Sequence, residues 1–196
     1  MTASIVAEAL GDVQDFFDNM FDTASKAAVL AINQVSERDG LALIKQDMQM
    51  QVDFPAGYLN THLTVARRAA KGRLEAVIRG RDRATSLARF AQGQNLGNSK
   101  GRPLFVTVRK GQQKTLKNAF LIKLRNGNTG LAVRLRNGDS LRHSGAAVKL
   151  ANNLYLLYGP SVDQVFRGVA EDRSGEILDM VGRQFLRQFS RLSTSG

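Results

Sequence analysis

The residues best placed to do chemistry lie in LYLLYGPSVDQVF, positions 154 to 166. A strand that breaks at Gly159-Pro160 and offers Ser161 at the head of a helix has the layout of a nucleophile elbow, where a serine stands on a sharp strand-to-helix turn. The hydrolase form is Gly-x-Ser-x-Gly, whose flanking glycines let strand and helix crowd around the hydroxyl. Here Ser161 is followed by Val162-Asp163-Gln164, and the second glycine is missing. The same residues match the capping box Ser-x-x-Gln, with Pro160 and Val165 where a hydrophobic staple would stand. Ser161 and Gln164 are therefore read as a helix cap.

Other chemistry is thinly supplied. His62 in NTHLT and His143 in LRHSG stand in no HxH or HExxH spacing. GQNLGNSKG, 93 to 101, lacks the Gly-Lys-Ser/Thr ending of a phosphate loop, and no helical pattern follows it. Glu75, Asp82 and Asp139 are the only carboxylates between 61 and 150, too few to converge on a two-metal nuclease centre. The absence of cysteine excludes disulfides, thiolate nucleophiles and Cys-based zinc sites. The expectation is a protein with no catalytic, metal or cofactor-binding residues, and so not an enzyme.

The elements that carry these residues follow from periodicity. Residues 1 to 60 read as an N-terminal helical segment: Val13, Phe16, Phe17 and Met20 recur at helical spacing, and Ala27, Ala28, Ala31 and Val35 continue it. Asp22 or Thr23 would cap a second, longer helix, Gly40 would kink or split it, and Pro55 would end it. Residues 61 to 158 read as a β-rich core. LTVAR (63 to 67) and LEAVIR (74 to 79) form a hairpin through AAKG, TSLARF (85 to 90) makes a helical turn, and FVTVRK (105 to 110) is a strand. AFLIKL (119 to 124) and GLAVRLR (130 to 136) are joined through Asn126-Gly127-Asn128-Thr129, and LYLLY (154 to 158) is the last strand. The stretches 91 to 103 and 137 to 153 read as polar loops. Residues 159 to 196 form C-terminal amphipathic helices packing on the core. Leu178, Val181, Phe185, Phe189 and Leu192 fall on one stripe, and Arg183, Arg187 and Arg191 lie opposite as a solvated face or a partner edge. The fold class is α+β, a single domain with one mainly antiparallel sheet of about five or six strands.

Charge is unevenly placed. The formal net charge is +11, but residues 1 to 60 hold 3 Lys/Arg against 9 Asp/Glu, residues 61 to 150 hold 20 against 3, and the remainder 5 against 5. A field of this kind attracts a polyanion to the middle of the chain. If Phe120, Ile122 and Leu124 pair with Leu131, Val133 and Leu135 on a buried face, alternation places Lys123, Arg125, Arg134 and Arg136 together on the opposite face. That cationic face, with Arg79, Arg81, Arg83 and Arg89, is the predicted DNA or partner contact. Tyr58, Tyr155 and Tyr158 lie outside the basic strands, so the stacking platforms of single-strand binders are missing. No run of about 18 apolar residues and no signal-peptide order is present, so a soluble, non-exported protein away from membranes is expected.

The order of segments also resembles a known family. AINQV, VDFPAGYL, LTVARRA, LEAVIRGRDRATSLARF, VTVRKG, KNAFLIKLRNGNTGLAVR and LYGPSVDQVF, followed by an amphipathic helix, are together similar to the tailed-bacteriophage minor tail protein Z family, the tail completion proteins, over residues 22 to 193. Some members carry a dense arginine run in the middle loop, where this chain has only Lys100 and Arg102. The resemblance implies a non-enzymatic virion protein at the head-proximal end of a long tail, assembled in the host cytoplasm. It also implies a homo-oligomeric ring, a hexamer, next to the tail terminator, tail tube and head-tail connector, with DNA passing through the lumen. A nucleic-acid-binding protein using the basic sheet face is the alternative expectation.

Overall fold

The structure, a computed structural model, describes residues 2–91, 103–136, 141, 145–150 and 152–194, with side chains from residue 14 onward. His143, Lys100, Arg102 and most of the two expected polar loops lie outside the described residues.

The class is α+β. In chain order the elements are α1 (Thr2–Glu37), α2 (Asp39–Gln51), α3 (Tyr58–His62), β1 (Leu63–Arg67), β2 (Val77–Gly80), a 3-10 helix (Leu87–Phe90), β3 (Leu104–Arg109) and β4 (Gln112–Leu116). There follow β5 (Ala119–Lys123), β6 (Thr129–Arg134), β7 (Ala147–Lys149), β8 (Leu154–Leu157), α4 (Val162–Asp172) and α5 (Ser174–Thr194). The eight strands among the described residues do not make one sheet of five or six. They form three, β1-β2, β3-β4 and β5-β6-β8-β7. The sequence reading lacks β4 and β7 because neither buries a face: every residue of β4 before Leu116 is exposed, as are all three of β7, so neither shows a period of two.

Two compact units divide the chain, one of Met1–Leu43, Val65–Ile78 and Arg173–Gly196, the other of Ile44–Thr64 and Arg79–Asp172. Neither coincides with a sequential segment, and the two C-terminal helices fall in different units.

In the first unit α1 runs without a break through Asp22 and Thr23. Helix-forming Ala24, Lys26, Ala27 and Ala28 continue the turn there, and the Asp22 carboxylate pairs with Lys71 Nζ at 3.0 Å. The interruption falls at Arg38, just before Gly40, and it is shallow: Arg38 N–H still donates to the Gln34 carbonyl at 3.0 Å. A Cβ on Gly40 would stand 2.8 Å from Val35 Cγ1, so glycine is what lets the backbone pass there. Ala27, Ala31 and Val35, spaced by four, are buried on α1, and α5 packs along α1. Asn33 clamps the chain at Ala69 with both amide atoms, Nδ2 donating to the Ala69 carbonyl at 3.0 Å and Oδ1 accepting from its N–H at 2.8 Å. Val181, Phe185, Phe189 and Leu192 are half-buried on α5, whereas Leu178, expected on the same stripe, is 69% exposed.

In the second unit Leu87, Leu104, Val106, Ala119, Leu131 and Leu157 form the core between the four-stranded sheet, the β3-β4 ribbon and the 3-10 helix. Each buried leucine there contributes about 2 kcal/mol. Asp53 N–H donates to the Val108 carbonyl at 2.9 Å and Lys110 N–H to the Gln51 carbonyl at 3.3 Å, which holds the chain after α2 against β3. Thr85 and the Gly159-Pro160 corner exchange backbone bonds, Gly159 N–H donating to Thr85 at 2.8 Å. This ties the loop after β2 to the corner that opens α4.

Candidate functional site

The expected cationic sheet face does not form. β5 and β6 pair with Ala119 opposite Val133, Leu121 opposite Leu131 and Lys123 opposite Thr129, one residue out of step with the expected register. A slip of one residue sends every side chain to the other face. Leu131 and Val133 therefore share a face with Ala119, Leu121 and Lys123, while Phe120 and Ile122 share the other with Ala132 and Arg134. Lys123 and Arg134 point to opposite sides, and Arg125 and Arg136 stand beyond the strand ends. All four are exposed, but they make no common surface.

Arg81, Arg83 and Arg89 do come together. They line a groove of about 630 Å³ with Ser86, Asn126, Asn128, Thr129 and Tyr158 among its walls. Arg79, on β2, is exposed and does not line it. Beneath the arginines lies Tyr58, only 6% exposed, whose ring stacks on Phe54 with centroids 5.7 Å apart. Arg81 Nη1 donates to the Tyr58 hydroxyl at 2.6 Å, and the Arg89 guanidinium sits 5.1 Å from the Tyr58 ring centroid, a cation–π distance. Arg81 is further fixed through its backbone, donating to the His62 carbonyl at 2.9 Å and accepting from Asp163 N–H at 3.2 Å. One buried tyrosine thus orients two guanidinium groups. Among the described residues no ion pair engages Arg81, Arg83 or Arg89.

His62 completes this cluster, its ring edge-on to Tyr58 with centroids 4.2 Å apart. Its imidazole is held below the ordinary histidine range, first by partial burial and then by the charges of Arg81 and Arg89.

A second groove, of about 970 Å³, adjoins the first, since Ala84, Ala146 and Tyr158 line both. Among the described residues Arg109, Lys110 and Lys114 supply its cations and Asp82 its only carboxylate. Ser161 lies in the wall of this groove and caps α4, its Oγ accepting from Gln164 N–H at 3.0 Å. Among the described residues no three of His, Cys, Asp and Glu are grouped as a metal ion would require. Arg183, Arg187 and Arg191 are exposed on α5, in the other unit.

Three of the candidate arginines, Arg81, Arg83 and Arg89, thus share one groove, whereas Tyr58, Asn126, Asn128, Tyr158, Arg109, Lys110 and Lys114 are not among the candidate contacts. The one available signal was Tyr58 four residues before His62, which places both rings on one side of a short helix.

No family model matches this chain, and no characterised protein or solved structure matches it either.

Proposed function

We propose that this protein is a non-enzymatic structural component of a phage virion, a tail completion protein or adaptor at the head-tail junction. It assembles as a homo-oligomeric ring among the neck and tail proteins. The segment order from AINQV to LYGPSVDQVF supports the family, and the observation that carries the assembly role is the surface of α1. This helix has 36 residues against 21 in α5, so at 1.5 Å per residue it outruns that partner by about 22 Å. Residues 14 to 22 are all exposed, among them Phe16 at 63% and Phe21 at 71%, with Phe17 and Met20 on the same stripe. A contiguous aromatic face without cover marks a protein-protein contact. The stripe continues toward the face of α1 on which Ala27 and Ala31 are buried.

Microscopy of virions carrying a label on this chain tests the reading. The label is expected at the neck, and particles lacking the protein should hold complete heads and unjoined or non-infectious tails. Label confined to the host cytosol, with none on virions, overturns it.

A further inference from the structure

We propose that the two adjoining grooves bind the phosphodiester backbone of nucleic acid without reading its sequence. Arg81, Arg83 and Arg89 make one set of phosphate contacts, and Arg109, Lys110 and Lys114 the other. The six cations line adjoining walls of a single unit, and among the described residues one carboxylate, Asp82, lines the walls with them and none of the six is in an ion pair. A guanidinium fork matches the paired oxygens of a phosphate, and two of the forks are held in advance, one by a hydrogen bond from Arg81 and one by stacking of Arg89, both on Tyr58. Ser86, Asn126, Asn128 and Thr129 add neutral polar groups of the kind that position a backbone. Stacking on unpaired bases needs an open aromatic face, and Tyr58 is buried under the arginines while Tyr158, the one aromatic ring among the described lining residues, is half-buried. The contact therefore falls on phosphates, whose charge is the same at every sequence.

A carboxylate-bearing helix from a second copy is the competing occupant. Its arm carries Glu8, Asp12, Asp15 and Asp18 in sequence, while Asp22 is already paired with Lys71. Four carboxylates spread along one helix still fall short of six cations, whereas a backbone repeats its charge along both grooves. The inference does not rest on the tail reading. A protein found at the neck that fails to bind DNA overturns the grooves alone, and DNA binding by a protein absent from virions overturns the tail reading alone.

The test is the anisotropy of a labelled DNA duplex of arbitrary sequence, titrated with the full chain over a range of salt. Binding should weaken linearly in log-log form, and each phosphate contact removed should reduce the slope by about 0.9. Arg83→Gln and Lys114→Gln, one from each groove, should each do so, whereas Arg183→Gln should change nothing. Tyr58→Phe, which removes the Arg81 hydrogen bond and no charge, should lower affinity with the slope unchanged. Saturating DNA should also raise the titration midpoint of His62 seen by NMR, since bound phosphates offset Arg81 and Arg89. Absence of binding at low salt overturns the proposal, as does an unaltered slope in both groove variants of normal circular dichroism. If those variants instead dissolve a self-association that Asp15→Lys with Asp18→Lys also dissolves, and DNA binding is untouched, the grooves hold a neighbour's helix and the proposal is likewise overturned.

Discussion

Ser161 and His62 show how much a residue's role depends on what surrounds it. The Ser161 hydroxyl accepts a backbone bond from Gln164 at 3.0 Å, so its contribution is to a helix end. Replacing it with alanine leaves that N–H unsatisfied and should cost about 1 kcal/mol in denaturant unfolding. Labelling of the wild type by a serine-reactive phosphonate would contradict this. His62 is the reverse case, a residue with a chemical repertoire whose setting holds it neutral. Its folded pKa lies below the ordinary 6.5, so the unfolded chain takes up the proton first as pH falls. The stability tied to His62 is present above pH 6.5 and is lost as pH drops from 6.5 toward the lower folded value. An NMR titration should therefore show its midpoint below 6.5, and Arg89→Gln should move it up. A midpoint at or above 6.5 would remove the account of the cluster.

At the scale of elements, turns and close crossings decide where side chains go. The β5-β6 connection closes between Leu124 and Asn128, where Leu124 N–H donates to the Asn128 carbonyl at 2.8 Å, and Gly127 takes φ 78°. Three residues in the loop, with the last left-handed, shift the register by one from what a two-residue turn would set. That parity disperses Lys123 and Arg134. The Gly80 crossing has a similar reach: a Cβ there would stand 2.7 Å from Asp163 Cα and 2.8 Å from its nitrogen, atoms of the α4 backbone that cannot swing aside. Gly80→Ala should destabilise by about 1–3 kcal/mol and loosen Arg81, the next residue, with it. Gly168 lies inside the same helix with nothing within 4 Å of its Cβ position. Gly168→Ala should stabilise by about 0.5–1 kcal/mol, and thermal unfolding of the pair separates crowding from helix propensity.

The whole molecule is marked by apolar surface left outside its own cores. α5 has no buried residue, Leu178 and Leu186 are 69% and 66% exposed, and the arm of α1 carries its aromatic side chains uncovered. Phe17→Ser with Phe21→Ser should reduce self-association in sedimentation, while unfolding stability changes by less than about 0.5 kcal/mol, because neither ring is buried in the single chain. An unchanged oligomeric state, with the fold intact, would show that the arm is not a subunit contact.

The sequence by itself determined the α+β class, the helix-sheet-helix order, the β5-β6 hairpin and the cap at Ser161. These depend on periodicity and turn chemistry within a few residues, where the local pattern and the final structure agree. Exposed β4 and β7 left no such pattern. The tertiary structure alone decided the register, the division into two units and the arrangement of the grooves. Tyr58 stands 23 residues from Arg81, and nothing in either local pattern states that a hydroxyl will meet a guanidinium at 2.6 Å. That meeting follows from packing Phe54, Tyr58 and Phe90 together, and only a folded core can bring distant residues to one place.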